Sequence, residues 1–204
     1  MSEHASRFIS LSSNLDAYFE EPVTQALRGR EVDASPATTS YLVRLLSDFA
    51  KPTDETTSPL TEPVTFLLRD AMSASGQERF KRLQSLGDGV LYGLGFFSGK
   101  LNGGADEGYV AHVGSSAYEH AARMLRTGQG VAKGPNVLEE LALKFQRFVD
   151  VLRYVADWMS AKAARDEEAL VRLYERWLKT GSQVLGSELG QRGLLPLKNP
   201  GGVH

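Results

Sequence analysis

Apolar residues recur at steps of three and four along almost the whole chain, and no stretch alternates apolar with polar as a strand would. Leu15, Phe19, Val23 and Leu27 mark a first helix over Leu11 to Arg28, and Pro22 inside it predicts a kink or a restart near Glu21. Ser35-Pro36 reads as a helix start, serine as N-cap and proline in the first turn. The second helix then runs to Ala50, with Tyr41, Leu42, Leu45, Leu46 and Phe49 on its buried side. Polar, proline-bounded Lys51 to Pro59 is a loop. Glu62-Pro63 opens a short third helix carrying Val64, Phe66, Leu67, Leu68 and Met72.

The fourth helix organises the rest. Ser75 and Glu78 form a capping-box pattern at its start. Phe80, Leu83, Leu86, Val90, Leu94, Phe97 and Leu101 form one apolar stripe, and Tyr92 and Phe96 lie across from it beside Gly89, Gly93 and Gly99. A helix apolar on two sides needs neighbours on two sides. Each interior glycine costs about 1 kcal/mol against alanine, so close approach of another backbone is expected to offset Gly87, Gly89, Gly93, Gly95 and Gly99. Asn102-Gly103-Gly104 is the expected stop.

Asp106 caps a fifth helix to Thr127, whose stripe is thin and small: Val110, Val113, Ala117, Ala121 and Met124. Joined by a short turn, the fourth and fifth helices should pack as a close antiparallel hairpin. Gly128 to Gly134 is a glycine-rich loop without the ending of a phosphate loop. Asn136 with Glu139 is another capping-box pattern. A long sixth helix follows to Ala161, with Leu138, Leu141, Phe145, Phe148, Leu152, Val155 and Met159 in its stripe. Asp166, Glu167 and Glu168 open a seventh helix ended by Gly181, and Val184, Leu185 and Leu189 a short eighth. Leu194 to Leu197 reads as an apolar segment laid on the body. The expectation is an all-α bundle of seven or eight helices around a glycine-rich helix at 75–101. It forms a single helical domain over 1–204, with tails at 1–10 and 198–204.

The segments Thr39 to Phe49 and Leu86 to Phe97, with Tyr109 and the Ala117-Tyr118 pair, resemble an uncharacterised group of bacterial all-helical proteins. The resemblance covers roughly residues 10–160. It implies a bacterial cytoplasmic domain and brings no activity with it.

Composition narrows the chemistry. The 204 residues include no cysteine, which removes disulfides, thiolate metal sites and thiol nucleophiles. With 23 basic and 25 acidic residues the chain has no excess of positive charge to call for nucleic acid. No secretion signal and no membrane span are expected, and a cytoplasmic location is. Gly87-Asp88-Gly89 with Gly93 only loosely resembles a dinucleotide fingerprint, because a helix rather than a strand precedes it. The four histidines, His4, His112, His120 and His204, lack the spacing of a metal helix. No catalytic residue, metal or cofactor is assigned, which leans against an enzyme.

Asp88 is the residue that invites a role. If buried, it needs a partner or its pKa rises. The structural reading gives it an Arg, His or Tyr from a neighbouring helix. The functional reading makes it the polar anchor of a ligand pocket with Tyr92, Gly93, Phe96, Tyr109 and His112. The function expected first is a non-enzymatic interaction or regulatory protein, working through a helix face on a protein partner or by self-association. The alternative is a bundle that binds an apolar or aromatic small molecule near Tyr92, Phe96 and Asp88.

Overall fold

A computed structural model describes residues 2–51, 62–97, 106–128 and 136–194, with side chains from Asn14 onward apart from Thr127 and Gly128. Their regular structure is entirely helical, as the apolar period requires. In order these are α1 (Ser2–Gly29), α2 (Pro36–Ala50), α3 (Val64–Ser73), α4 (Gly76–Phe96), α5 (Glu107–Gly128), α6 (Val137–Leu143), α7 (Phe145–Ala163), α8 (Glu167–Thr180) and α9 (Gln183–Gln191). None of the described helices is long and apolar enough to cross a membrane.

The described residues hold nine helices where seven or eight are expected. The difference lies at Lys144, a single-residue turn between α6 and α7 with φ −109° and ψ 22°. Leu141 and Phe145 on either side of it are both buried. The turn therefore leaves the apolar spacing intact and invisible to a periodicity argument. α1 starts at Ser2 rather than near Leu11 and runs on through Pro22 as one element.

α4 ends at Phe96, short of the expected Leu101. Residues 92 and 97 would stand on different sides of a continuing helix. Leaving the helix brings the Phe97 ring edge-on to Tyr92, with centroids 5.7 Å apart. The expected stop at Asn102-Gly103-Gly104, with Gly99 and Leu101, lies outside the described residues. So do most of the loop from Lys51 to Pro59, most of the glycine-rich loop, and the tail at 198–204.

Caps follow the sequence in part. Ser35 accepts from the Thr38 amide at 3.2 Å, Asp166 from Ala169 at 2.7 Å and Asp106 from Tyr109 at 3.1 Å. Gly181 closes α8 with φ 63°. The two capping boxes do not form. Ser75 makes no side-chain cap bond, and Glu78 turns instead to Arg82 at 2.7 Å. Asn136 does cap α6, but Glu139 reaches Arg126 at 3.1 Å.

The chain divides into two compact units, Met1–Arg153 and Tyr154–His204. In the first, Leu83, Leu86, Val90, Leu91 and Leu94 of α4 are buried, and α4 packs most extensively on α5. A Cβ built on Gly87 would lie 2.6 Å from the Tyr118 ring, and one on Gly95 would lie 2.5 Å from Leu152 Cβ. Gly87 and Gly95 are thus explained by close approach, but mainly of side chains from α5 and α7 rather than of a neighbouring backbone. In the second unit Ala161, Ala164, Leu173, Trp177, Leu185 and Leu189 form the core. There Asp157, 4% exposed, is paired with Arg176 at 2.6 Å. Arg192 closes the end of α7 by donating to the Ala161 and Ala164 carbonyls.

Candidate functional site

Gly87 admits the Tyr118 ring against α4, and this delivers the phenol to the next residue. Tyr118 donates to Asp88 Oδ1 at 2.7 Å from α5, and Tyr41 donates to the same oxygen at 2.7 Å from α2. Gln84, one turn before Asp88, donates its Nε2 to the Tyr41 hydroxyl at 2.9 Å. Three helices therefore meet on one carboxyl oxygen. The partners of Asp88 are tyrosine hydroxyls from neighbouring helices, as the structural reading expected.

The electrostatics follow from burial. Desolvation pushes the Asp88 carboxyl up to about 6; the Tyr118 and Tyr41 hydroxyls pull it down, and the Asp48 charge adds to the rise. Asp48 is exposed and paired with Lys51 at 2.6 Å. Burial, and then the Asp88 charge beside them, raise both Tyr41 and Tyr118 well above the usual phenol range. Both phenols therefore stay protonated and donate. The group holds a proton that exchanges near neutral pH, between donors that do not titrate there.

Tyr92, one turn beyond Asp88, is the centre of an aromatic strip. It stacks on Phe49 of α2 at 4.2 Å and 5°, and on Phe96 at 4.8 Å and 22°. Phe97 stands edge-on to the same ring and is 49% exposed, although the stripe pattern places it on the buried side. Phe49, Tyr92 and Phe96 are half-buried, and Gly93 is buried beneath them within α4. Burial raises the Tyr92 phenol as well.

The remaining two candidates are elsewhere. Tyr109 is exposed, and its hydroxyl lies 2.9 Å from Thr65 Oγ1 of α3. His112 is exposed on α5. Neither is bonded to Asp88 among the described residues. The sequence reading missed Tyr118 and Tyr41 as the partners of Asp88, and Gln84 as the residue that donates to Tyr41. The usable signal for Tyr118 was a large polar aromatic on the small-residue helix that packs against Gly87.

A second polar cluster holds the start of α2. Glu140 of α6 accepts from the Ser35 amide at 3.2 Å, from Thr38 Oγ1 at 2.7 Å and from Lys144 at 2.9 Å. Lys144 also reaches the Asp33 carbonyl at 2.6 Å. Desolvation alone would raise the Glu140 carboxyl, but the bonds from Lys144, Thr38 and Ser35 outweigh it and hold it at about 2. Among the described residues no group of three or more His, Asp or Glu side chains is arranged to hold a metal ion.

No protein-family model, curated protein or solved structure matches the chain. A role has to be argued from these groups themselves.

Proposed function

We propose that the chain is a non-enzymatic interaction protein that associates with a second copy of itself through the α2–α4 face. The observation that carries this reading is the strip of Phe49, Tyr92, Phe96 and Phe97. Phe49 and Phe96 stack on Tyr92 and Phe97 stands edge-on to it, with no gap between Phe49 and Tyr92 for a ligand, yet the strip stays partly open to solvent, Phe97 most of all. Aromatic residues surrounded by polar ones are the usual centre of a protein interface. The rim carries the Asp48–Lys51 pair. Across a twofold axis such a pair meets its own opposite charges, which suits a self-complementary contact.

The test is sedimentation equilibrium of the whole chain over a wide concentration range, beside a Phe97→Ser variant. Two symmetry-related phenylalanines are removed from the contact, and since each is already half-covered in the single chain, each is worth about half of the usual 1.5–3 kcal/mol of burial. The variant should therefore dissociate at least about tenfold more readily while keeping the helical circular-dichroism signal of the wild type. A wild type that stays monomeric at high concentration, or a variant that associates equally well, refutes the reading.

Asp88 favours a second reading, binding of an aromatic small molecule at this face. Its carboxyl lies one turn from Tyr92, and its two hydrogen bonds among the described residues come from neutral phenols rather than a cation. Native mass spectrometry of freshly purified protein separates the two readings, since a retained small mass on a monomer supports the second and a dimer without added mass the first.

A further inference from the structure

Arg79 lies in the first turn of α4, half-buried, and is paired with no carboxylate among the described residues. Its Nε is shut off from solvent with no hydrogen-bond partner. Its Nη2 donates at 3.2 Å to the thioether of Met72 on α3, a weak acceptor. The exposed arginines nearby are treated differently by the fold: Arg82 is held by Glu78 at 2.7 Å, and Arg123 by Glu119. Of the guanidinium's donors, Nε is buried without a partner and the one bond to protein among the described residues goes to a sulfur. A buried donor left unpaired costs about 1–3 kcal/mol.

α5 carries a second nitrogen group close enough to Arg79 to feel its charge. His120 is half-buried, and no carboxylate is bonded to it among the described residues. Burial first, then the Arg123 charge and the more distant Arg79, hold its imidazole below the usual histidine range, against an upward pull from Glu119. The turn between α3 and α4 thus holds a guanidinium that no carboxylate meets among the described residues, with an imidazole of α5, held toward its neutral form, in electrostatic reach of it.

We propose that Arg79, with His120 beside it, binds a phosphate-type oxyanion at the α3–α4 turn. A charge-assisted fork from guanidinium to phosphate is far stronger than a contact with a thioether. The anion therefore draws the guanidinium off Met72 and supplies the acceptors its donors lack. This site is separate from the aromatic strip and does not depend on self-association.

Inorganic phosphate and phenyl phosphate are titrated separately into the whole chain. Binding is read by calorimetry and by melting temperature against sodium chloride of equal ionic strength. Binding of both shows that the free ion suffices, and binding of phenyl phosphate alone assigns the site to a phosphomonoester. Arg79→Met should weaken binding by about tenfold or more, while Arg82→Met, at an exposed and paired position, should leave it unchanged. Should Arg79→Met fail to fold, His120→Gln decides the matter through a loss of several-fold in affinity. The proposal is overturned if neither anion acts beyond matched chloride, or if the folded variants bind as the wild type does.

Discussion

Replacing Asp88 with asparagine keeps the shape of the side chain and removes a charge that the surrounding helices desolvate. The Asp88 carboxyl moves from an ordinary 3.8 to about 6 in the folded chain. At 1.36 kcal/mol per pKa unit, ionising it in place costs about 3 kcal/mol more than ionising it in the unfolded chain. That figure already includes the two tyrosine bonds. Between these two values the folded state binds more protons than the unfolded state, so this group makes stability fall as pH rises through the window. Asparagine cannot ionise, and its carbonyl still accepts from Tyr41 and Tyr118. Its amide needs a partner of its own, a loss of about 1 kcal/mol. Asp88→Asn should therefore be about 1–2 kcal/mol more stable than wild type at pH 7.5, and equal or slightly less stable at pH 3.5. Urea unfolding of both proteins across that range reads the difference, in which every other titrating group cancels. A variant less stable than wild type at pH 7.5, or a difference that does not change with pH, refutes the account.

Glu140→Gln should act in the opposite sense. Its folded pKa of about 2 lies below the ordinary 4.5, so wild type gains about 3 kcal/mol as pH rises through that interval. The variant should lack this rise in acid unfolding curves. Gly87→Ala puts a methyl group 2.6 Å from a fully enclosed tyrosine ring, and should lower stability by about 1–3 kcal/mol in thermal melts despite alanine's better helix propensity. Arg176→Met strands the buried Asp157 carboxylate and should cost about 3–5 kcal/mol by urea unfolding, a loss that Asp157→Asn added to the same chain should partly restore.

What the sequence could show was whatever repeats along a helix. The stripes of α2, α4 and α7, the Ser35 and Asp166 caps and the need of Asp88 for an Arg, His or Tyr on a neighbouring helix all depend on local spacing or on a cost borne by one residue. What it could not show depends on which helix lies opposite. Tyr109 and His112 share α5 with Tyr118, and spacing gave no reason to prefer one of them as the partner of Asp88. Only the pairing of Gly87 with Tyr118 settles it. The Lys144 turn was hidden because it keeps Leu141 and Phe145 on one side. The capping boxes failed because Glu78 and Glu139 found arginines at 2.7 and 3.1 Å, and a charged partner outweighs one backbone amide.

The two perturbed carboxyls act on the same helix. Glu140 holds Ser35 and Thr38 at the start of α2, and Asp88 holds Tyr41 one turn further on. Their pKa values move apart, one to about 2 and the other to about 6. As pH rises the Glu140 contribution is complete before most of the Asp88 cost has developed. The attachment of α2 is therefore firmest between about pH 4 and 5 and weaker on either side. The same helix carries Phe49, the ring that stacks on Tyr92 in the strip proposed for self-association. Loosening α2 near neutral pH would disturb one wall of that strip.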